Sequence, residues 1–209
     1  MATPTVTVCV ATFGDESWRE LAIRRAIPSA AAELPDAILH VHGESLHDAR
    51  NRCLERVRTE WVIYLDADDE LEPGYVGALL NGPETGDLRA PAVRYVPDGV
   101  DPDNRRAYVP RVAGHRHDCE TECLEAGNYL VIGTAVRADL VRAVGGWHDW
   151  PVYEDWDLWL RCKRAGATVA SVPDAVYRAG WRAGSRNRAP SREVKDQTHH
   201  AIVEANRER

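Results

Sequence analysis

The chain has 209 residues, a hydrophobic content of 44 % and a formal net charge of −7. This length fits one large domain or two small ones, and the apolar content excludes a largely disordered chain. The negative charge argues against a protein whose whole surface attracts nucleic acid or acidic membranes.

The first third of the chain alternates strand and helix patterns. Residues 5–11 form a short β-branched run typical of a buried strand, and helical spacing follows over residues 18–34 with an interruption expected at Pro28. Residues 37–41 predict a second strand, and Ser45 is a candidate N-cap for the next helix. Trp61–Leu65 is the clearest apolar strand. This order predicts an α/β fold with a Rossmann-like, mostly parallel sheet flanked by helices.

The rest of the chain has weaker periodicity. Frequent Pro and Gly over residues 82–127 predict an elaborated loop region with short strands such as residues 90–96. Helices are predicted over residues 137–144 and from the acidic pair at 154–155 to residue 165, and a strand is predicted over residues 168–172.

The end of the chain is polar and rich in arginine. We predict a single domain over residues 1–178 and a tail or lid over residues 179–209. The segment from Arg178 to Arg192 holds five arginines and no acid, so it is a candidate anion site.

An acidic cluster, Asp66-Ala67-Asp68-Asp69, follows the clearest strand directly. In open α/β sheets ligands bind at the carboxyl ends of the strands. Three carboxylates there repel one another unless a cation compensates them. Mg²⁺ or Mn²⁺ bridging carboxylate and diphosphate oxygens meets that need. The alternative is a solvated turn whose aspartates cap the helix that starts near Pro73.

A second acidic pair, Glu154-Asp155, opens a helix that carries Trp156 and Trp159 on its apolar side. A carboxylate fixed in this position could take a proton from an attacking hydroxyl. The alternative is that acids are favoured at helix starts without any catalytic role.

Five blocks, in this order, resemble the inverting family 2 glycosyltransferases of the GT-A fold. They are the opening strand at residues 6–13, Ala-Arg-Asn at 49–51, the strand and acidic turn at 61–69, Val-Gly-Gly-Trp at 144–147, and the Glu-Asp segment at 153–161. The resemblance spans about residues 5–178.

The resemblance implies a role for each matching residue. Asp68 coordinates a divalent metal, and Asp66 holds the donor ribose or shares the ion. Asp155 is the catalytic base, and Glu154 orients it or binds the acceptor. The positions implied to contact the nucleotide are Thr12, Phe13, His42, Arg50, Asn51, Asp66 and Ala67.

Two departures from the family pattern concern the donor site. The second strand of relatives ends in an acidic motif that recognises the nucleobase, whereas this chain has His42-Gly43-Glu44, so that His42 or Glu44 is the expected substitute. Relatives also often carry a metal-binding His after the last strand, where this chain has Tyr177-Arg178. Water, or a tail arginine acting on the diphosphate, is expected there instead.

Two weaker patterns are also candidate sites. His115, His117, Cys119 and Cys123 have side chains that suit zinc, but their spacing matches no standard zinc motif, and a polar loop is the alternative. Trp147 and Trp150 lie beside the acidic pair in sequence and are candidates for stacking on a sugar.

The function that these patterns imply is metal-dependent transfer, with inversion, of a sugar from a nucleoside-diphosphate donor, most simply a UDP-sugar. The acceptor stays open between a glycan, a small molecule and a hydroxylated nucleic-acid base. The tail is a solvated end, a lid over the donor, or a docking strip for a phosphate-rich acceptor. The rival functions are a nucleotidyltransferase, which usually has a basic, Gly-rich loop absent from residues 11–15, and a non-catalytic binding module.

The sequence also predicts where the protein acts. No stretch approaches the roughly 20 apolar residues of a membrane span, and no basic leader opens the chain. The five cysteines are scattered and odd in number, unlike a secreted disulfide framework. We therefore expect a cytoplasmic protein without a membrane span.

Overall fold

A computed structural model describes residues 3–97, 111–112, 121–181 and 190–207. The strands of this part of the chain are β1 (Val6–Phe13), β2 (Ala37–Gly43), β3 (Trp61–Leu65), β4 (Glu70–Leu71), β5 (Leu88–Pro97), β6 (Arg111–Val112), β7 (Ala135–Arg137) and β8 (Val169–Trp181). The helices are α1 (Glu16–Arg24), α2 (Ala26–Ala32), α3 (Leu46–Arg56), α4 (Tyr75–Asn81), α5 (Thr121–Ala126), α6 (Ala138–Ala143), α7 (Glu154–Arg164) and α8 (Arg192–Arg207).

The strands form one mixed sheet in the order β2-β1-β3-β7-β5-β8-β4, with β6 paired to β5. The long ladders are parallel: β1 pairs with β2 and β3, and β5 pairs with β8. Short antiparallel ladders join β7 to β3 and β5, and β4 to β8. The predicted α/β fold with a mostly parallel sheet flanked by helices is therefore confirmed.

The carboxyl ends of β1, β2 and β3 lie at one edge of the sheet. In the parallel register Thr12 lies opposite His42, and Val10 lies opposite Leu65. The residues that follow these strands therefore share one edge, which is the position where open α/β sheets bind ligands.

The middle of the chain is more regular than its Pro and Gly content predicts. Residues 88–97 form the long strand β5 near the centre of the sheet rather than a short strand in a loop region. The β5–β8 ladder changes register between Pro91 and Ala92: Pro91 lies opposite Val172 and Ala92 lies opposite Val176, so the extra residues lie in β8. The strand predicted over residues 90–96 is therefore present and longer than predicted.

Two helical predictions also differ from the structure. The helical run over residues 18–34 is divided into α1 and α2 at Arg25, whose φ of −125° is not helical. The polar tail contains α8, a helix of 16 residues that buries Thr198, Ile202 and Asn206. Residues 192–207 of the predicted tail or lid are therefore helical, while residues 182–189 lie outside the described part of the chain.

Aromatic residues fill the core beneath the sheet edge. Trp61, Tyr64, Trp147 and Trp159 are buried, and the rings of Tyr64 and Trp147 meet edge to face at 4.7 Å. Large aromatic rings supply much of the buried apolar area of a domain of this size. Among the described residues, no helix is both long and apolar enough to cross a membrane.

Candidate active site

The acidic turn after β3 is held in place by β8. The hydroxyl of Tyr177 donates to Oδ2 of Asp69 at 2.7 Å and accepts from the N–H of Asp66 at 3.3 Å. The N–H of Gly180 donates to Oδ1 of Asp69 at 2.7 Å. A Cβ at Gly180 would lie 2.7 Å from the carbonyl oxygen of Asp68, so only glycine allows this approach. β8 therefore fixes both ends of the turn.

The acidic residues of this turn have different environments. Asp69 is buried and hydrogen-bonded within the protein, whereas Asp66 and Asp68 are partly exposed. Burial, and then the neighbouring charges of Asp68 and Asp66, raise the pKa of Asp69 well above its usual range. Ala67 is buried between the two partly exposed acids. Asp66 and Asp68 are therefore the acids of this turn whose side chains reach the surface.

Arg50 of α3 joins the two acidic clusters. Its guanidinium is 2 % exposed and donates to Oδ1 of Asp66 at 2.8 Å and to Oε1 of Glu154 at 2.9 Å. It also lies 4.3 Å from the centre of the Trp147 ring. Burial acts to lower the pKa of Arg50, but Asp66 and Glu154 outweigh it and raise the pKa. A buried cation thus bridges two carboxylates that are far apart in sequence.

Asn51, next to Arg50, fixes the loop before α7. Its Nδ2 donates to the carbonyl of Trp147 at 2.9 Å, and its Oδ1 accepts the N–H of Trp147 at 2.8 Å. Trp147 is 2 % exposed, so the prediction that it stacks on a sugar was wrong, because its ring packs under Arg50. Trp150 is partly buried and packs against the core.

The acidic pair opens α7 as predicted. Tyr153 precedes it with a left-handed φ of 65°, a conformation that costs free energy in a residue other than glycine. Glu154 is buried against Arg50, while Asp155 stays partly exposed. Oδ1 of Asp155 accepts the N–H of Trp156 at 2.8 Å, and Oδ2 accepts Nδ2 of Asn128 at 3.2 Å.

The pKa of Asp155 is raised to about 7. Burial is the main cause and the charge of Glu154 the next, while Arg50 opposes both. A carboxylate with a pKa near neutral is well suited to accept a proton, because about half of it is ionised at neutral pH and the ionised form is more basic than that of an ordinary aspartate.

A polar cluster lies where β1 and β2 end. Oγ1 of Thr12 is 3.1 Å from Nε2 of His40 and 3.0 Å from Nδ1 of His42. Burial, and then the charge of Arg19, lower the pKa of His40. Phe13, the last residue of β1, is partly exposed beside this cluster in the sequence. The hydroxyl has one hydrogen, so it donates to only one of the two imidazoles and accepts from the other.

Metal ligands were predicted in two places. Within the described residues, no group of three or more His, Cys, Asp or Glu side chains is arranged to hold a metal ion. His115, His117 and Cys119 of the weaker zinc pattern lie outside the described residues, and Cys123 is disulfide-bonded. Asp66 and Asp68 supply two carboxylates, so any ion there would take its other ligands from the substrate and water.

The structure thus brings together Arg50, Asp66, Glu154 and Asp155 at one site, with Thr12 and His42 along the same sheet edge. Sequence reasoning missed three residues that contact them, namely His40, Asn128 and Tyr177. Only His40 carried a local signal, since alternation along a strand places residues 40 and 42 on the same face.

The mixed sheet, its acidic turn after β3 and the acidic start of α7 opposite it define a domain of the GT-A glycosyltransferase type. Residues 2–208 match the model of a family described as glycosyltransferase-like family 2. The chain belongs to this family. None of the curated proteins matches the chain.

Solved structures of S. aureus TarS share the fold. The 1–349 segment of TarS in complex with UDP-GlcNAc superposes with a TM-score of 0.63 at 12 % identity, covering 97 % of this chain and 66 % of that one. The same segment in complex with UDP gives a TM-score of 0.60 at 13 % identity, covering 97 % of this chain and 65 % of that one. The chain therefore spans slightly less than two thirds of these segments.

Proposed function

We propose that the protein is a glycosyltransferase that moves a sugar from a nucleoside-diphosphate donor to an acceptor hydroxyl. The observation that carries this proposal is the bridge from Arg50 to both Asp66 and Glu154. Through it, the acidic turn at the donor edge of the sheet and the base candidate Asp155 belong to one site. Membership of the glycosyltransferase-like family supports the same reaction.

The donor that we favour is a UDP-sugar. The TarS structures that share the fold hold UDP-GlcNAc and UDP. In this chain Thr12 and Phe13 end β1, which pairs with β3, and His42 lies near the end of β2, which pairs with β1. This position supports a role for the three residues in contacting the nucleotide, with His42 replacing the acid that relatives use for the base. The same proposal assigns Asp66, which is partly exposed, to the ribose or to a shared ion.

A divalent cation fits the acidic turn. Mg²⁺ and Mn²⁺ bind to nucleotides in proteins through one or two carboxylates, phosphate oxygens and water, and Asp68 and Asp66 are the partly exposed carboxylates here. Burial is the main cause of the raised pKa of Asp69, and the neighbouring charges of Asp68 and Asp66 add to it. When bound, such an ion offsets the charge that builds on the departing diphosphate.

The chain's own residues supply the proton transfer. Asp155 accepts the proton of the acceptor hydroxyl while the oxygen of that hydroxyl forms a bond to the anomeric carbon. The bond from that carbon to the diphosphate oxygen breaks, and attack from the opposite face inverts the configuration. Glu154 is held by Arg50 and keeps a second negative charge beside Asp155, which maintains its basicity.

The donor site is tested by calorimetric titration of UDP and GDP, each with and without Mn²⁺. Wild type should bind UDP only when Mn²⁺ is present, and Asp68→Ala should abolish the metal-dependent part. Asp174→Ala, at an exposed position away from the acidic turn, is the matched control. Absence of metal-linked binding of either nucleotide to wild type would overturn metal dependence, and tighter binding of GDP would overturn the choice of UDP.

A further inference from the structure

We propose that Asn128 is a positioning residue for Asp155, whose amide orients the carboxylate and favours its ionised form. This inference rests on the proposed role of Asp155 as the base. Asn128 lies in the loop after α5 and is partly buried. It is 27 positions from Asp155 in sequence, and its Nδ2 donates to Oδ2 of that residue at 3.2 Å.

The orientation of the Asn128 amide follows from its second hydrogen bond. The N–H of Leu130 donates to Oδ1 of Asn128 at 3.0 Å. A backbone N–H can only donate, so the amide oxygen must face Leu130 and the NH₂ group must face Asp155. The contact with Asp155 is therefore a donated hydrogen bond, which stabilises the carboxylate more than the neutral acid.

The two hydrogen bonds to Asp155 leave a defined place for a substrate. Oδ1 accepts the N–H of Trp156, and Oδ2 accepts Asn128. Each carboxylate oxygen has two lone pairs, so one remains on each oxygen for an acceptor hydroxyl. By fixing the plane of the carboxylate, Asn128 decides where that hydroxyl must lie.

Asn128 also offsets the charges around Asp155. The titratable groups that act on this carboxyl are Glu154 beside it, Arg50 from α3, Asp66 from the turn after β3, and Tyr153 at the start of α7. Glu154 and Asp66 raise its pKa, and Arg50 lowers it. Asn128 is a neutral donor, so it supports ionisation without adding a charge that would bind the diphosphate in the wrong place.

The segment that carries Asn128 is itself held by two helices. The carbonyl of Leu124 accepts Nε1 of Trp156 at 2.6 Å, and the carbonyl of Glu125 accepts Nε2 of His199 at 2.8 Å. The Trp156 and His199 rings stack at 4.4 Å with an interplanar angle of 18°. The end of α5 is therefore fixed to α7 and α8, which limits the movement of Asn128.

The test compares Asn128→Ala and Asn128→Asp with wild type. The pKa of Asp155 is measured by ¹³C NMR on protein labelled at the aspartate carboxyl carbons, with the signal assigned from Asp155→Asn. The rate of UDP-GlcNAc hydrolysis is followed over the same pH range. Asn206→Ala is the matched control, because Asn206 donates to Oδ1 of Asp157, two residues along α7, at 3.0 Å.

We expect Asn128→Ala to raise the pKa of Asp155 by about one unit, which lowers the ionised fraction, and with it kcat/KM, by about fivefold at pH 7 and by about tenfold at lower pH. Asn128→Asp should raise the pKa of Asp155 further, because the substitution replaces a hydrogen-bond donor with a second carboxylate. Asn206→Ala should lower stability and leave the pKa unchanged. An unchanged pKa in Asn128→Ala overturns the inference. Failure of wild type to hydrolyse any of a set of UDP-sugars, or full activity of Asp155→Asn, would instead count against the proposed function.

Discussion

Nη1 of Arg50 lies 2.9 Å from Oε1 of Glu154, although the two residues are 104 positions apart. The same guanidinium contacts Asp66, so one buried cation bridges two carboxylates from different parts of the chain and offsets part of their charge. Removing one member of a buried ion pair leaves the others without compensation, which costs more than the pair itself contributes.

Arg50→Ala should therefore lower the free energy of unfolding by about 3–5 kcal/mol. Arg52→Ala is the matched control, because Arg52 lies on the same helix, is 43 % exposed and pairs with Asp48 at 3.5 Å. An exposed pair of this kind contributes about 0–1 kcal/mol. Urea unfolding of both variants measures the difference. Equal losses in the free energy of unfolding would show that the buried bridge stabilises the fold no more than an exposed ion pair does.

The pKa of about 7 for Asp155 predicts how stability depends on pH. Between an unfolded pKa near 3.8 and the folded value, the folded state binds more protons than the unfolded state. The free energy of unfolding must then fall as pH rises through this window. The side chain at position 155 cannot ionise in Asp155→Asn. The variant should therefore have a higher free energy of unfolding than wild type at about pH 8, and nearly the same free energy of unfolding at about pH 4.

Chemical unfolding at several pH values tests this sign, with the exposed Asp174→Asn as control. A stability difference between Asp155→Asn and wild type that stays constant with pH would contradict the raised pKa. The same variant should lose sugar transfer, since an amide cannot accept the proton. Gain of stability together with loss of activity is the pattern expected when an active site holds an unfavourable charge.

The local parts of this architecture could be predicted from the sequence. Trp61–Leu65 is a continuous apolar run that leads directly into acids, and the start of α7 is marked by Glu154 and Asp155. Within each signal, the residues that form it lie within a few positions of one another. Which edge of the sheet they share follows from the strand order expected of an α/β fold.

The contacts that complete the site could not be predicted, because they depend on the pairing of distant strands. Tyr177 reaches Asp69 only because β8 pairs with β4 and β5, and the β5–β8 register includes an irregularity. Asn128 reaches Asp155 from a loop without periodicity. Burial of Trp147 likewise depends on Arg50 packing over its ring, a contact that no local pattern indicates.

Tyr177→Phe should destabilise the acidic turn without creating a large cavity in the core, because only the hydroxyl is removed. The variant loses the hydrogen bond to Asp69, a buried carboxylate, so we expect the free energy of unfolding to fall by about 1–3 kcal/mol. The turn would also become less ordered, which should reduce metal-linked binding of UDP. Tyr75→Phe is the control: it loses a buried hydrogen bond of 2.7 Å to the carbonyl of Gly133, which does not touch the acids.

Both tyrosine variants should therefore lose stability, but only Tyr177→Phe should lose UDP affinity in the presence of Mn²⁺. Calorimetric titration together with thermal unfolding separates the two effects. Equal UDP affinity in the two variants would mean that the hydroxyl of Tyr177 serves stability alone.

His42→Ala tests the proposed nucleobase contact at the end of β2. Loss of one hydrogen bond to the base is worth about 1–1.5 kcal/mol, so UDP affinity should fall about tenfold. His47→Ala is the matched control, because His47 lies at the start of α3 and pairs with Asp149, which is 75 % exposed. Its effect on affinity should be about twofold or less. Unchanged affinity of His42→Ala would exclude this imidazole from base recognition.

His199→Ala tests whether α8 stabilises the domain and orders the segment that carries Asn128. The variant removes the ring stacked on Trp156 and the hydrogen bond to the carbonyl of Glu125. Together these contacts should contribute about 1–2 kcal/mol to the free energy of unfolding. His200, the next residue, is exposed on the same helix, so His200→Ala should change stability by less than about 0.5 kcal/mol. Hydrogen exchange should show faster exchange at residues 121–130 in His199→Ala only. Equal exchange in both variants would mean that α8 packs on α7 without ordering the segment that carries Asn128.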